Sequence, residues 1–293
     1  FSGGDQLRTM KTLHKADGSK TPVLEAVWEV FRSGGVVGGT SAGAAIMSEP
    51  MIGAGNSMGA LKHGVITDYK GDDFPDSDGV LLTHGLGFFP LGMVDQHFNT
   101  RARLARLVMV MMHEKKTLNL GFGVDENTAL IYNGKLKILK VAGAAGVTMV
   151  NTTDATISQV QNLPLIKNVM ISYLDEGDVY DISTKKIIPA DGKKSTIGNE
   201  FYNVSNPSQT GMFSGSATNF LNLVTVNLID NKAVNKVSNL NFTGMDTGFR
   251  VTLSKTPESK GYFTDKPNGI DKYTVIGIRM DIEPVQITTT PLK

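Results

Sequence analysis

The chain contains one glycine-rich stretch that fits G-x-S-x-G around Ser41: Gly38-Gly39-Thr40-Ser41-Ala42-Gly43-Ala44-Ala45. The short apolar run Val36-Val37 precedes it and predicts a buried strand, and Ala42 to Ser48 is small, apolar and compatible with a helix. A tight turn between a strand and a helix exposes the serine hydroxyl, and it needs small neighbours on both sides. The stretch therefore predicts a nucleophile elbow at Ser41, although close packing of a helix on a sheet would also explain its glycines.

The segments around this turn predict an α/β fold, with a mostly parallel sheet flanked by helices. Apolar residues recur at helical spacing, most clearly at Leu104, Leu107, Val108 and Met111, and Asn-Gly between two apolar runs predicts a two-residue hairpin. The predicted elements are helices over 22–31 and 100–116, a long surface loop over 53–79, strands over 121–124, 147–150 and 169–173, and a hairpin of 129–132 with 135–141 around Asn133-Gly134.

The composition changes after about Pro189, where Asn, Ser, Thr and Gly become frequent and helical periodicity ends. Short runs such as Val224-Thr225-Val226 and Tyr273 to Ile278 predict strands. We therefore expect a catalytic α/β domain over 1–189 and a β-rich extension over 190–293 that packs on that domain or completes it.

Charge and composition exclude several classes of function. With 29 Lys and Arg against 28 Asp and Glu, the net charge of +1 gives no electrostatic reason to expect a nucleic acid or a membrane surface as partner. The absence of Cys excludes disulfides and thiolate sites, and the five His show no zinc-ligand spacing, so no metal site is predicted. The longest apolar run without glycine, Leu107 to Met112, is much shorter than the roughly 20 residues of a membrane span.

A serine nucleophile requires a general base and an acid that orients the base. His97 lies in the polar cluster Asp95-Gln96-His97-Phe98 just ahead of the predicted helix, and His84 is the alternative base. The group Asp125-Glu126-Asn127 closes a short buried strand and offers the acid.

Four segments in this order resemble the cyanophycinase-like serine peptidase family, which also includes the aspartyl dipeptidase peptidase E. They are Phe1-Ser2-Gly3-Gly4-Asp5-Gln6, the stretch from Gly38 to Ala45, Asp95-Gln96-His97-Phe98 with three following arginines, and Gly123-Val124-Asp125-Glu126-Asn127-Thr128-Ala129. The resemblance runs from Phe1 to about Ile182. It implies a Ser-His-Glu triad formed by Ser41, His97 and Glu126.

The same resemblance implies the surroundings of the triad. Gly4 would lie near the oxyanion hole, and the N–H of Ala42 at the start of the helix would face the same oxyanion. A pocket for a β-Asp-Arg unit would be lined by Gln6, Asp95, Gln96, Arg101, Arg103 and Arg106. An arginine side chain suits substrate carboxylates and an aspartate suits a guanidinium, although a solvated helix face would also explain the arginines.

The function expected from these residues is that of a serine exopeptidase that hydrolyses cyanophycin-like or related acidic peptides through an acyl-enzyme, without a cofactor. Two alternatives stay open: a catalytically silent secreted binding module of the same fold, and an α/β-hydrolase esterase, in which the acid would precede the histidine. The family carries strands upstream of the Gly-Gly-Asp-Gln motif, so we expect a second chain that supplies them. A homodimer is a further expectation, and a secreted or periplasmic location is favoured slightly over the cytoplasm.

Overall fold

The computed structural model describes residues 1–71, 73–207, 209–213, 219–244, 246–265 and 271–288. The fold is mixed α/β and rich in strands. Within these residues, no helix has both the length and the apolar character needed to cross a membrane. The helices are α1 (Gln6–Leu13), α2 (Pro22–Arg32), α3 (Ala42–Ala45), α4 (Ser57–His63), α5 (Leu104–His113) and α6 (Asn219–Val224), and a π-helical turn (Thr225–Ile229) continues α6.

The strands are unequal in length, and the longest lie in the second half of the chain. They are β1 (Met51–Gly55), β2 (Val65–Ile66), β3 (Val80–Thr83), β4 (Met93–Gln96), β5 (Leu120–Val124), β6 (Thr128–Asn133), β7 (Ile138–Gly143), β8 (Val147–Asn151), β9 (Thr156–Val160), β10 (Leu163–Leu174), β11 (Val179–Asp181), β12 (Lys186–Ile188), β13 (Lys194–Ser195), β14 (Gln209–Thr210), β15 (Lys236–Phe242), β16 (Thr247–Ser254), β17 (Lys260–Thr264) and β18 (Lys272–Gln286).

Three sheets form from these strands. The largest has the order β14-β15-β16-β18-β10-β8-β5-β4, with β9, β13 and β17 paired at its sides, and the smaller ones are β12-β11-β7-β6 and β1-β3-β2. Among the described residues, only β2 with β3, β4 with β5, and β14 with β15 are parallel. The prediction of a mostly parallel sheet is therefore wrong. From β5 onward most strands follow each other through short connections, which favour antiparallel neighbours.

The parallel pair β4 and β5 positions the predicted base and acid. The helix α5 connects the two strands, and Gln96 at the end of β4 lies opposite Val124 at the end of β5. His97 therefore follows one strand directly, and Glu126 lies two residues beyond the other. In sheets of this type, functional side chains collect at the carboxyl ends of the strands.

The helix α5 follows the apolar stripe that predicted it, but it is shorter than 100–116. Every residue from Leu104 to Met112 is buried, so the helix lies inside the core rather than on its surface. Residues before Leu104 form turns instead, and both His97 (φ 48°) and Ala102 (φ 49°) have left-handed backbone angles that an α-helix excludes.

Two predictions in the first half of the chain need correction. Val36 and Val37 lie in no strand. Next to them, the Phe1 nitrogen donates to Gly38 O and the Phe1 carbonyl accepts from the Thr40 N–H. The segment 53–79 is not one loop. It contains the end of β1, helix α4 and strand β2, and the Asn56 side chain caps α4 by accepting from the Gly59 N–H.

Two further corrections concern local turn and strand signals. The hairpin of β6 and β7 has a four-residue loop, because Asn133 pairs with Ile138 and the Asn133 side chain accepts from the Leu136 N–H. Residues 224–226 are helical rather than extended. Thr225 is buried there, and its hydroxyl donates back to Leu221 O, which lets a β-branched residue sit in a helix.

The part of the chain after residue 190 is rich in strands, and the predicted strand Tyr273 to Ile278 lies within β18. β18 pairs with β10 on one side and with β16 and β17 on the other. Strands from before and after residue 190 therefore share the largest sheet, in which β10 and β8 separate β18 from β5.

Candidate active site

The backbone at Ser41 forms the sharp turn that the sequence predicts. Ser41 has φ 54° and ψ −117°, a conformation that residues other than glycine adopt at a cost, and it directly precedes α3. A Cβ on Gly39 would lie 2.0 Å from Gly43 O, and one on Gly43 would lie 2.3 Å from Phe1 O. The glycines on both sides of Ser41 are therefore required by the close approach of backbone to backbone.

The structure brings the three predicted triad residues into one hydrogen-bonded line. Ser41 Oγ lies 2.8 Å from His97 Nε2, and His97 Nδ1 lies 2.7 Å from Glu126 Oε1. The other candidate base, His84, pairs with Glu49 on the surface instead. A serine hydroxyl bonded to an imidazole, which is in turn bonded to a carboxylate, can be deprotonated for nucleophilic attack.

Thr100 completes the surroundings of Glu126. Its hydroxyl donates to Glu126 Oε2 at 2.5 Å, so each carboxylate oxygen has one donor. Partial burial would raise the pKa of Glu126, but the hydrogen bonds from Thr100 and His97 outweigh it and hold that pKa below its ordinary value. Glu126 therefore stays ionised at neutral pH and can hold the imidazole.

The neighbouring acid, Asp125, faces another partner. Its carboxylate accepts from the Asn99 backbone N–H at 3.0 Å and from Asn99 Nδ2 at 2.8 Å. Burial raises the pKa of Asp125 to about 6, and these hydrogen bonds offset only part of that effect. Of the two acids at this strand end, Glu126 contacts the imidazole, and Asp125 ties the loop after His97 to the end of β5.

Two backbone donors lie free near Ser41. Within the described residues, neither the Gly4 N–H nor the Ala42 N–H donates to another group. A Cβ on Gly3, next to Gly4, would lie 3.7 Å from Ser41 Oγ, and Ala42 follows Ser41 directly. Free N–H groups of this kind are what an oxyanion would require.

The residues predicted to line a pocket divide into two groups. Asp95 and Arg106 are buried and bind each other, and Arg106 Nη1 also donates to Gly55 O. Arg103 donates to Gln96 O, and burial, with Arg106 nearby, lowers the pKa of Arg103 to about 10. These polar groups already have partners inside the protein.

The remaining predicted residues differ in how far they are exposed. Arg101 is exposed, and its side chain makes no hydrogen bond or ion pair to the residues that the structure describes. Gln6 is partly buried and donates to Gly53 O at 2.6 Å. Gln96 is buried, and its Oε1 has no hydrogen-bond partner in the same part of the chain.

A cavity of about 210 Å³ lies beside the free N–H of Gly4. Its lining combines backbone from the first segment with two carboxylates and an aromatic ring: Gly4, Asp5, Gln6, Leu7, Gly53, Ala54, Asp73 and Phe74. Among the described residues, no group of three or more His, Asp or Glu has the arrangement of a metal site.

The sequence did not predict that Thr100 and Asn99 are partners of the two acids. Both follow His97 within three residues, and hydroxyl or amide side chains that close to a candidate base could have suggested partners for the adjacent acids. The identity of each partner still depends on how β4 and β5 lie side by side.

The chain is similar to known proteins over about two thirds of its length. The family model of Peptidase family S51 matches residues 1–139. Similar curated proteins include the cyanophycinase of Synechococcus elongatus (35% identical over 194 residues, 64% of this chain and 53% of the relative), that of Trichormus variabilis (34% over 199 residues, 65% and 58%) and that of Geminocystis herdmanii (33% over 191 residues, 63% and 62%).

The chain spans between about half and three-fifths of the length of these relatives. The matched region contains Ser41, His97 and Glu126, which are joined by the two hydrogen bonds that a Ser-His-acid triad requires. Over residues 1–139, this chain is similar to peptidase family S51.

Proposed function

We propose that this chain is a serine exopeptidase of the cyanophycinase type, with Ser41 as nucleophile, His97 as general base and Glu126 as the acid that orients His97. The observation that carries the proposal is the continuous line from Ser41 Oγ through the imidazole to the Glu126 carboxylate, set on a strained turn. Backbone strain of this kind is maintained where the surrounding structure enforces it, commonly at active sites.

The proposed reaction has two halves. Ser41 Oγ attacks the scissile carbonyl carbon while His97 Nε2 takes the hydroxyl proton, and the oxyanion binds the N–H groups of Gly4 and Ala42. The tetrahedral intermediate then expels the amine, which receives the proton from His97. Water attacks the resulting acyl-enzyme with His97 again as base, and the product acid leaves Ser41 free.

The proposed substrate is an acidic peptide with a cationic side chain, such as a β-Asp-Arg unit. Three relatives are named cyanophycinase. The cavity beside Gly4 is lined by Asp5 and Asp73, whose carboxylates lie 3.7 and 4.0 Å from the Arg8 guanidinium, so a substrate guanidinium would compete with Arg8 for them. Exposed Arg101 is the arginine left free for a substrate carboxylate. The other predicted pocket residues would support the pocket from inside the protein without binding the substrate directly; they are Asp95, Gln96, Arg103 and Arg106.

The experiment is to incubate the chain with a β-aspartyl-arginine dipeptide and with cyanophycin, and to measure the release of arginine and of dipeptide. The parent should hydrolyse at least one of them, Ser41→Ala should be inactive, and Ser77→Ala, a change at an exposed serine, should match the parent. A parent that hydrolyses neither, and whose Ser41 resists a fluorophosphonate probe, would instead be a silent binding module.

We also propose that a second chain contributes a strand beside residues 36–38. An apolar groove of about 580 Å³ opens there, and its lining is Phe1, Val23, Ala26, Val27, Val30, Val36, Val37 and Gly38. Val36 is 96% exposed, and the backbone groups of Val36 and Val37 have no hydrogen-bond partner among the described residues. An added strand would satisfy these groups and cover the valines.

A further inference from the structure

A buried lysine from the second half of the chain lies behind the turn that carries Glu126. Lys272, the first residue of β18, is 6% exposed. Its Nζ donates to Ala144 O at 2.6 Å and to Asp175 Oδ1 at 3.0 Å. A buried ammonium is stable only when it is paired and hydrogen-bonded, so these two contacts fix its position.

The carbonyl that Lys272 binds belongs to residues 144–146. This segment forms hydrogen bonds with the Glu126 turn on both sides of Glu126. On one side Ala144 N–H donates to Asn127 O at 2.9 Å, and on the other Asp125 N–H donates to Gly146 O at 3.2 Å. Between them, Ala145 N–H donates to the Thr128 hydroxyl, which donates to Glu126 O. A shift of this segment would therefore move the residue that contacts His97.

The other partner of Lys272 is itself held firmly. Asp175 N–H donates to Asp178 Oδ2, and the fully buried Asp178 carboxylate also accepts from Lys193 Nζ and from the Thr274 hydroxyl. Lys193 and Thr274 belong, like Lys272, to the part of the chain after residue 190. The 175–178 turn therefore fixes the position of Asp175, and through Asp175 it fixes the ammonium of Lys272 that binds Ala144 O.

We propose that Lys272 is a positioning residue for Glu126, acting through the carbonyl of Ala144 and the segment 144–146. This inference rests on the proposed function, because it assigns the role of Glu126 as the acid of the triad. Displacement of a catalytic group by about 1 Å can lower a rate by roughly 100-fold. Through Lys272, the part of the chain after residue 190 therefore contributes to catalysis.

The test compares Lys272→Met with a matched control, Lys255→Met. Lys255 Nζ also donates to a backbone carbonyl, that of Asn231, but Asn231 has no contact with the Glu126 turn. We expect Lys272→Met to lower kcat by about 10- to 100-fold with little change in KM, and Lys255→Met to leave both near the parent values. Lys272→Arg, which keeps a buried cation with several donors, should recover part of kcat. A folded Lys272→Met chain with the kcat of the parent would overturn the proposal.

A second variant tests the proposal by a measurement that does not depend on activity, and it avoids the unfolding that an unpaired buried charge could cause. Lys272→Met leaves the Asp175 carboxylate buried without its cation, so Lys272→Met/Asp175→Asn removes both charges and still deprives Ala144 O of its donor. In this charge-neutral variant, carbon NMR of the Glu126 carboxyl should show a pKa higher than in the parent, because the contacts from Thr100 and His97 loosen. Glu126→Gln identifies the signal.

These outcomes separate the two proposals. If the parent hydrolyses nothing, the proposed function fails, and the Glu126 titration still decides whether Lys272 positions the carboxylate. An unchanged titration in the folded double variant overturns the inference. Failure of both Lys272 variants to fold also overturns it, since Lys272 would then be a residue of general stability.

Discussion

Arg106 donates to both carboxylate oxygens of Asp95, from Nε at 2.8 Å and from Nη2 at 2.5 Å. Arg106 is 2% exposed and Asp95 is 1% exposed, so water reaches neither partner. A third donor, Nη1, ties the pair to Gly55 O at the end of β1. The pair therefore joins α5, β4 and β1 beneath the candidate site, and its role differs from that of exposed Arg101.

Arg106→Met should destabilise the fold. The change leaves the Asp95 charge buried and uncompensated, which costs about 3–5 kcal/mol of the free energy of unfolding. Arg101→Ala, at the exposed position, should change stability by less than about 0.5 kcal/mol and should raise KM for an acidic peptide. Urea unfolding followed by circular dichroism, together with peptide kinetics, measures both effects. An Arg106→Met chain as stable as the parent would show that the buried pair contributes nothing.

Ser41→Ala and Ser41→Gly should both lose hydrolysis, by on the order of 10⁴-fold or more, because both lack the proposed nucleophile. Their stabilities should differ. Ser41 has φ 54° and ψ −117°, which glycine adopts without the Cβ penalty, so Ser41→Gly should be the more stable of the two by about 1 kcal/mol. Thermal unfolding of the two variants side by side gives the difference, and equal stabilities would mean that this turn stores no strain.

Asp125→Asn should change how stability depends on pH. The pKa of Asp125 is raised by burial to about 6 in the folded chain, above its ordinary value of 3.8. Its contribution to stability is therefore fully present below the unfolded pKa and is lost as the pH rises through about 6. When the pH is lowered from well above 6 to below about 4, the free energy of unfolding of the parent should rise by up to about 3 kcal/mol relative to that of Asp125→Asn.

Denaturant titrations of both chains across this pH range supply that comparison, because ionisations common to the two chains cancel in the difference. Asn at this position can still accept the Asn99 N–H with its side-chain oxygen. A difference that does not vary with pH would show that Asp125 keeps an ordinary pKa.

Thr100→Val should weaken activity most at acidic pH. The Thr100 hydroxyl is one of the contacts that lower the pKa of Glu126, so its removal raises that pKa and protonates the carboxylate sooner as the pH falls. The ratio of kcat at about pH 5 to kcat at about pH 8 should drop below that of the parent. Thr117→Val is the matched control, since Thr117 Oγ1 donates to Glu114 Oε2 away from the site. Equal kcat ratios in the parent, Thr100→Val and Thr117→Val would show that Thr100 does not affect the ionisation of Glu126 during catalysis.

The apolar groove beside residues 36–38 should make the chain self-associate when it is expressed alone. Val23, Val30 and Val36 are 66%, 54% and 96% exposed, and together they form an uncovered apolar surface. Val36→Lys should reduce association measured by analytical ultracentrifugation, and Val204→Lys, at an exposed valine outside the groove, should not. A parent that stays monomeric with a cooperative thermal transition and full activity would show that no partner strand is needed. A defined dimer abolished by Val36→Lys would identify a second copy as the occupant.

Several features of this protein were predictable because they depend on local physics. The turn at Ser41 requires small residues within a few positions along the chain, and Gly39 and Gly43 supply them. The core helix α5 follows from the spacing of Leu104, Leu107, Val108 and Met111, since one turn of helix fixes which side chains share a face. These inferences needed no knowledge of distant segments.

The rest depended on which distant segments meet. His97 rather than His84 contacts Ser41, and Glu126 rather than Asp125 contacts His97, because the parallel register of β4 and β5 sets their ends side by side. The mainly antiparallel sheet was missed for a similar reason, since strand direction is fixed by long-range pairing and not by the residues of one strand.

The partners of the charged side chains show the same limit most clearly. Arg101 and Arg106 belong to one short run of the sequence, yet one is exposed and the other is sealed against Asp95. Lys272 has no local pattern that would connect it with Glu126. A charged side chain becomes structural or functional according to the burial and the partners that the folded chain gives it, and both are properties of the tertiary structure alone.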